Sequence, residues 1–352
     1  MSDKQRSSNI ELLRIIAIIM IVFSHLAGHG VMAVTTGHAY VRWAEGSLLN
    51  RLFTAFFIGG GDTAVGAFFI ITGFFMIEAV NQRKLTPLIS QVVFYGILST
   101  VVLVVLRFMG IDNTNITDVA MELFVPVSGN VWWFISSYVL LCASSSYINT
   151  TAKQWSKKKY LMYLAVLWIL WMSIGKVLDA PYYAVGRAVW FYLVGGYIRL
   201  YWKKSNKLLY IFGFALSWLL YAAATFGLAT IIGSNSSSIM IANALKFGRT
   251  VFFGPAAAIF LFLMFKDIKM GSNSKINSLA SCVLGCYLLH ESYGGRLLFW
   301  KVIFNVDNAY NYMWFPLFGF GVVISVLLIC FIVEKGRIKL FEMFNKQSGK
   351  KK

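Results

Sequence analysis

Ten long apolar runs, each bounded by charged or turn-forming residues, dominate the sequence. A bilayer core of roughly 30 Å needs about 20 apolar residues of helix, so every run is long enough to cross a membrane. The pattern predicts an all-α, polytopic integral membrane protein with about ten transmembrane helices. The predicted spans are 10–28, 63–80, 85–108, 131–148, 160–178, 182–201, 208–232, 243–265, 278–304 and 312–333.

Twenty-two of the 32 lysines and arginines lie at the termini or in or beside alternate loops between these runs. The net charge is +18, but the basic residues do not cluster in one domain as they do in nucleic-acid-binding proteins, so no nucleic-acid partner is expected. Segments 153–159, 199–207 and 266–275 are basic, whereas 110–130 contains no Lys or Arg. Because short cytoplasmic loops carry such an excess, both termini are predicted to be cytoplasmic, in a multi-pass protein of the plasma membrane.

The domain organisation is simple. The longest predicted loop, 30–62, is semi-apolar and too short to fold as a separate soluble domain. The first apolar run contains Glu11 and Arg14 and lacks a convincing cleavage site, which favours a retained span over a signal peptide. We therefore predict one transmembrane domain, 1–345, followed by a basic cytoplasmic tail, 346–352.

The first predicted helix carries two ionisable residues at a helical spacing. Arg14 and His25 are eleven residues apart, which puts them on one helical stripe and about 16 Å apart along the axis. Glu11 precedes Arg14 by one turn and can pair with it. For an arbitrary membrane helix, a structural role has about equal weight: Arg14 would reach lipid phosphates, and His25 would satisfy a backbone carbonyl.

Four stretches resemble the acyltransferase 3 family. Segment 9–25 is similar to the opening of that family, whose first helix carries Arg, ten intervening residues and then His. Segment 66–74 is similar to its Phe-Phe-x-x-Ser-Gly-Phe block, with Thr72 in place of the usual Ser. Segment 132–138 resembles its Trp-Phe and Tyr helix, and 286–291 resembles its late Tyr-Leu-x-His element.

The resemblance implies a function and roles for particular residues. Members are described as moving an acyl group, commonly acetyl from cytoplasmic acetyl-CoA, onto sugars of surface glycans or lipid-linked precursors. His25 would be the general base and Arg14 would position the donor. Arg83 and Lys84 stand where many members carry Arg-x-Arg, and they would help to bind the donor phosphates; a plain positive-inside turn explains them equally well. Direct transfer and a covalent acyl-histidine intermediate both remain open.

Other ionisable residues are secondary candidates for the site. His290 and Glu291 would line the site from a second helix or, with equal weight, hold a helix end. His25 and His29 have the i,i+4 spacing of a two-histidine metal site, but no third ligand is evident in the sequence, so no metal is expected. The remaining candidates in or at the predicted spans are Glu11, Arg187, Arg249 and Arg296.

A membrane O-acyltransferase is therefore the predicted function. Its expected partners are acyl-CoA, a glycan or lipid-linked sugar acceptor, and membrane lipid; the sequence does not indicate an oligomeric state. The alternative is a transporter or flippase for a glycan intermediate, which would also be polytopic and basic on its cytoplasmic side. Transporters often contain two related halves, and no such repeat is evident in this sequence.

Overall fold

A computed structural model describes residues 7–32, 39–79, 85–111, 115–127, 131–233 and 239–347. Throughout these residues the regular structure is helical and no strand occurs. The predicted all-α, polytopic class is therefore confirmed.

The helices are numbered in chain order. They are α1 (Ser8–His25), α2 (Ala39–Glu45), α3 (Leu48–Phe57), α4 (Gly60–Met76), α5 (Thr86–Phe108), α6 (Ile116–Phe124), α7 (Trp133–Lys153), α8 (Lys157–Leu167), α9 (Gly175–Val177), α10 (Tyr183–Tyr201), α11 (Lys207–Gly233), α12 (Ile239–Phe247), α13 (Gly254–Lys266), α14 (Ser274–Ala280), α15 (Val283–Glu291), α16 (Tyr293–Arg296), α17 (Val306–Ala309) and α18 (Phe315–Gln347). Wider π-helical turns extend α1, α8, α12 and α16 over Leu26–Met32, Trp168–Ile174, Gly248–Phe253 and Leu297–Ile303.

Seven helical segments within the described residues are long and apolar enough to cross a membrane. Each of them contains most of one predicted span. The total of ten spans and the cytoplasmic location of the termini stay predictions. The seven segments are Ser8–Met32, Leu48–Met76, Thr86–Phe108, Lys157–Val177, Lys207–Ile232, Met240–Lys266 and Phe315–Phe344.

The other three predicted spans are helical but more polar or interrupted. Spans 131–148 and 182–201 correspond to α7 and α10, which pack against each other and, in the case of α10, closely against α4. Helix α10 is buried along most of its length, so it tolerates polar residues that lipid would not. Span 278–304 is not one helix: the chain turns extended at Ser292, between α15 and α16.

In the predicted loop 30–62, the described residues, 30–32 and 39–62, are largely helical, and the prediction of a loop there was wrong. It contains α2 and α3, and α3 leads through two residues into α4, so that this apolar segment begins at Leu48 rather than near Thr63. The Ser47 side chain caps α3 by accepting a hydrogen bond from the Asn50 N–H. Asn50 then donates to the carbonyl of Tyr310 at 2.8 Å, which ties α3 to the chain just before α18.

The start of α1 and the end of α18 lie at the same end of the bundle. Helix α14 contacts both: Ser8 donates to the side-chain oxygen of Asn277 at 2.9 Å, and Lys335 donates to the hydroxyl of Ser278 at 2.7 Å. We call this the α14 end.

Helix α4 lies at the centre of the bundle, between α1, α10 and α13. Its contact with α10 depends on glycine, because a Cβ on Gly73 would lie 1.9 Å from the Tyr192 carbonyl oxygen and one on Gly195 would lie 2.2 Å from that of Ile70. Small residues allow membrane helices to approach until their backbones touch. The backbones of α4 and α10 therefore lie in contact, and α4 also packs against α1, which carries Arg14 and His25.

Candidate functional site

His25 is the last residue of α1 before the helix widens into the π-helical turn Leu26–Met32, which contains His29. Single π-helical turns within α-helices are frequent at functional sites, because the extra residue redirects the side chains around it. Here the turn directs both imidazoles towards the end of α15. His25 and His29, which the sequence places one turn apart on one helix, therefore lie together against Glu291 of α15.

The cluster contains three histidines, a buried carboxylate and an arginine. His25 Nδ1 lies 2.9 Å from His290 Nε2 and 2.9 Å from Glu291 Oε2. His29 Nε2 lies 3.2 Å from the same Glu291 oxygen, and the other oxygen of Glu291 pairs with Arg296. The contacts to Glu291 Oε2 are ion-pair distances without an aligned hydrogen bond. The carboxylate therefore acts on the two imidazoles through its charge.

The hydrogen bonds assign the proton positions of two imidazoles. His290 Nδ1 lies 2.5 Å from the Cys286 carbonyl oxygen, which can only accept, so His290 carries its proton on Nδ1. His290 Nε2 is then an acceptor, and His25 Nδ1 must be the donor to it. In neutral His25 this leaves Nε2 with a lone pair. That nitrogen is the one available to take a proton from a substrate.

The break between α15 and α16 determines where Glu291 and Arg296 lie. Ser292 has an extended backbone, and its hydroxyl accepts from the Gly295 N–H at 2.9 Å. A Cβ on Gly295 would lie 1.8 Å from the Leu289 carbonyl oxygen, so glycine is needed for α16 to fold back this tightly. The turn brings Arg296 back against Glu291.

Glu122 of α6 contacts the first residue of α16, on the C-terminal side of this break. Its carboxylate accepts from the Tyr293 N–H at 3.0 Å and from the Ser99 hydroxyl at 2.6 Å, while the Ser99 oxygen accepts from the Gly294 N–H at 2.9 Å. In the sequence, α6 lies between α5 and α7, and it belongs to none of the seven segments that are long and apolar enough to cross a membrane. Burial raises the pKa of Glu122 to about 7, against the effect of these hydrogen bonds.

A large cavity begins near the α14 end and extends into the bundle. Its volume is about 880 Å³, and Arg14, Thr72, Gln91 and Arg337 are among the residues that line it. Arg14 pairs with Glu11 at 3.3 Å, as the sequence predicted. The wall of this cavity therefore combines two guanidinium groups with hydroxyl, amide and apolar groups.

A smaller cavity of about 300 Å³ lies next to His25. Its wall also contains Asp62, Trp133, Tyr221 and Arg249. This volume is at the low end of small-molecule sites, and the mixture of aromatic, cationic and anionic groups is typical of a site that orients a polar ligand.

Two of the secondary candidates lie in the wall of this smaller cavity or directly behind it. Arg187 Nη1 lies 2.9 Å from Asp62 Oδ1, and the Tyr221 hydroxyl donates to Asp62 Oδ2 at 2.6 Å. Arg249 lines the cavity and donates to the Thr225 hydroxyl at 3.3 Å. Arg249 thus lies in the wall of the same cavity as His25, and Arg187 is joined to that wall through Asp62, a carboxylate that the sequence pattern did not single out.

The two cavities adjoin each other. Ile21, Val65 and Tyr287 line both of them, and Ile21 stands on α1 between Arg14 and His25. Arg14 therefore faces one cavity and His25 the other, with a thin partition of three side chains between them. Arg83 and Lys84, the other predicted donor-binding residues, lie outside the described residues.

Arg337 of the larger cavity has a rigid support. Its Nε and Nη2 donate to the two oxygens of Glu334 at 2.8 and 2.7 Å, and Glu334 in turn accepts from Tyr95 at 2.7 Å and Gln91 at 3.0 Å. In the sequence, Arg337 contributes only to the topology signal. Nothing in its local sequence distinguishes it from the other basic residues near the C-terminus.

Two groups of side chains have the composition of a metal site. His25, His29 and Glu291 form one, and Cys286, His290 and Cys330 form the other; within each group the ligand atoms lie within 4.8 Å of one another. Glu291 thus supplies the third ligand type that the sequence did not reveal. His25 Nδ1 and His290 Nδ1 are engaged in hydrogen bonds, so either group would have to exchange those bonds for an ion. The expected absence of a metal stays a prediction.

A known family accounts for nearly the whole chain. The sequence profile of the acyltransferase 3 family, described as an acyltransferase domain, matches residues 7–334. The chain belongs to the acyltransferase 3 family. No curated protein and no solved structure matches it. Membership of the acyltransferase 3 family supports membrane acyltransferase activity, and the matched region includes every site residue described above except Arg337.

Proposed function

We propose that this acyltransferase 3 protein transfers an acyl group, in the first instance acetyl, from cytoplasmic acyl-CoA to a hydroxyl of a cell-surface polysaccharide or its lipid-linked precursor. The plasma membrane is its proposed location. The observation that carries the proposal is the placement of two residues of α1. Arg14 faces the larger cavity, His25 faces the smaller one, and the two cavities share a wall.

The larger cavity suits the donor. Acyl-CoA carries phosphates on one end and a thioester on the other, and Arg14 and Arg337 supply guanidinium groups that bind phosphate in a planar, bidentate manner. Glu334 uses two of the five N–H donors of Arg337, which leaves the others for a ligand. In our proposal this cavity opens to the cytoplasm, at the α14 end, and Arg83 and Lys84 add to its positive charge.

The smaller cavity suits one sugar unit. Asp62 and Arg249 can hydrogen-bond to hydroxyl groups, and the indole of Trp133 offers an apolar face to a sugar ring. Asp62 is fixed by Arg187 and Tyr221, so its position does not depend on the ligand. A site with few, fixed polar groups orients one hydroxyl towards His25.

The chemistry follows from the proton positions. His25 Nε2 takes the proton of the acceptor hydroxyl while the hydroxyl oxygen attacks the thioester carbonyl carbon. The carbon–sulfur bond breaks, and the CoA thiolate leaves and takes up the proton from the imidazolium. Glu291 stabilises the imidazolium that exists between these steps, and Arg296 keeps Glu291 in place. One acyl-CoA and one alcohol thus give one ester and one CoA thiol.

The test is transfer across a membrane. Purified protein is reconstituted into liposomes with labelled acetyl-CoA on one side and a panel of octyl glycosides on the other, and acetylated glycosides are measured by mass spectrometry. We expect acetylation of at least one glycoside and none with the His25→Ala variant. Movement of a glycoside through the membrane without acetylation would instead support the transporter, and the absence of any product would contradict the proposal.

A further inference from the structure

The hydroxyl of Tyr287 is buried at the partition between the two cavities. Tyr287 lines both, and its ring packs edge-on against Phe134 at 5.6 Å and against His290 at 6.3 Å. The side chain is almost fully buried, and its hydroxyl makes no hydrogen bond with the described part of the chain. Leaving a buried hydroxyl unpaired is costly, so such a group calls for a ligand that accepts or donates a hydrogen bond there.

The first turn of α7 lies at the same partition. Trp133 lines the smaller cavity and Phe134 the larger one. The first backbone N–H groups of a helix have no acceptor within it, and Trp132, which precedes α7, provides no side-chain cap. The backbone amide of Phe134 lies beside the Tyr287 hydroxyl without forming a bond of good geometry. A 21-residue helix thus directs the positive end of its dipole at the partition.

We propose that Tyr287 O–H and the first N–H groups of α7 form the oxyanion-binding site of the acyl transfer, at the point where the thioester of an acyl-CoA meets an acceptor hydroxyl. This inference rests on the proposed function. It makes Tyr287 a catalytic residue, distinct from His25, which handles the proton.

The step is balanced as follows. When the acceptor oxygen bonds to the carbonyl carbon, the π electrons of the C=O bond move onto the carbonyl oxygen, and the acceptor proton goes to His25 Nε2. Tyr287 O–H and the Phe134 N–H donate hydrogen bonds to that oxyanion. The C=O bond then re-forms as the carbon–sulfur bond breaks, and the leaving thiolate takes the proton from His25.

The oxyanion needs these hydrogen-bond donors because of where it forms. The oxyanion forms beside the buried side chain of Tyr287 in the interior of a helical bundle, where unpaired charge is costly. Preorganised donors in such a setting stabilise the charge without reorganising, and removing one typically costs about 100- to 1,000-fold in turnover. The thioester carbonyl of the ground state gains less from them, so substrate affinity changes little.

The decisive variant is Tyr287→Phe, which removes the oxygen and keeps the ring contacts. We expect the acetyl transfer rate at saturating donor and acceptor to fall about 100- to 1,000-fold. Binding of acetyl-CoA, measured by calorimetry on the detergent-solubilised protein, is expected to change less than about twofold, since the oxyanion forms only in the reaction. Tyr192→Phe is the matched control, because it removes another buried hydroxyl, on α10, away from both cavities.

A second measurement tests the proposal if the Tyr287→Phe variant folds poorly. Replacing Tyr287 by 3,5-difluorotyrosine through codon suppression keeps the shape and the hydroxyl but makes the phenol a stronger acid. Ionisation then removes the donor, so the rate should fall on the alkaline side at a lower pH than in the unmodified protein. A hydroxyl with only a structural role would leave the pH profile of the rate unchanged.

The outcomes separate this inference from the function on which it rests. Unmodified protein that acetylates no glycoside would overturn the proposed function itself. Active protein whose Tyr287→Phe variant turns over within tenfold of normal would overturn the oxyanion role alone. A variant that loses acetyl-CoA affinity in proportion to its rate would also overturn that role, because Tyr287 would then bind the donor and not the transition state.

Discussion

His25 Nδ1 and Glu291 Oε2 lie 2.9 Å apart, although α1 and α15 are close to opposite ends of the chain. Glu291 also contacts His29, but only His25 lines the smaller cavity. The two histidines therefore share a carboxylate and differ in their access to a ligand, which makes them a matched pair for mutagenesis.

His25→Ala is expected to abolish acyl transfer while the protein still inserts and still binds acetyl-CoA. A general base contributes about 100- to 10,000-fold, so the loss in turnover should lie in that range. His29→Ala removes an imidazole from the same cluster and should cost markedly less. Transfer rates and calorimetric acetyl-CoA affinities of both variants check this. A His25→Gln variant with near-normal turnover would leave the imidazole of His25 with a structural role.

The donor cavity predicts effects on affinity and not on the chemical step. Arg14→Lys should weaken acetyl-CoA binding and Arg14→Ala should weaken it further, because Lys retains the charge but loses the planar fork. Arg337→Gln should lower the affinity by about tenfold, the effect of one charge-assisted hydrogen bond.

The control for Arg337 is Lys335→Gln. It removes the same charge from the same helix, but Lys335 bonds to Ser278 and is absent from the cavity wall. Equal acetyl-CoA affinities for the Arg337 and Lys335 variants, measured by calorimetry, would contradict a role for Arg337 in donor binding.

Much of the fold could be predicted from the sequence, because apolar runs of membrane length form helices with few alternatives. The errors occurred where tertiary contacts decide. The semi-apolar segment before Thr63 was predicted as a loop, yet α3 forms there and is held by Asn50 to the backbone at Tyr310. The break at Ser292 was also missed, since only the fold-back of Gly295 onto Leu289 reveals it.

The site was predicted in part for the same reason. Arg14 and His25 stand on one helix, so their spacing alone places them on one stripe. The contacts of His25 with Glu291 and His290, and the meeting of Arg187 with Asp62, join distant segments. Spacing along one sequence contains no information on such contacts, so it could nominate these residues but not their partners.

The partition between the cavities predicts a variant that separates binding from transfer. Val65→Phe adds bulk where both cavities meet, so we expect acetyl-CoA to bind normally while transfer to octyl glycosides falls at least tenfold, because reacting atoms must approach to about 3–3.5 Å. Ile71→Phe adds bulk to the larger cavity alone and should weaken donor binding instead. Val65→Phe with normal transfer would show that the acyl group does not cross this partition.

The proposed orientation can be tested with reporter tags. Tags inserted at Lys158 and Lys269 should be accessible from the cytoplasm, and a tag at Asn115 from the exterior, because basic loops are retained inside. Labelling of intact and permeabilised cells measures this directly. A cytoplasmic signal at Asn115 would overturn both the count of ten spans and the assignment of the α14 end to the cytoplasm.

Glu122 predicts a pH dependence of stability. Burial raises its pKa from 4.5 to about 7 in the folded protein. Between these values the folded state retains a proton that the unfolded chain has lost, so the free energy of unfolding must fall as the pH rises through this window. The loss is at most between about 3 and 4 kcal/mol, since one pKa unit corresponds to about 1.4 kcal/mol. Glu122→Gln removes this titration, so the difference in melting temperature between normal protein and variant should shift by several degrees in favour of the variant between pH 4.5 and 7.5.

Thermal unfolding in detergent micelles, followed by tryptophan fluorescence across that pH range, measures this difference. Asp118→Asn is the matched control, because it removes a carboxyl group from the same helix without touching the bonds of Glu122 to Ser99 and Tyr293. Ionised Glu122 also places a charge beside the N–H of Tyr293, the residue that follows Ser292 at the break between α15 and α16. If melting temperatures of normal protein and Glu122→Gln run parallel from pH 4.5 to 7.5, Glu122 does not retain its proton in the folded state, and its carboxylate holds α16 in the charged form.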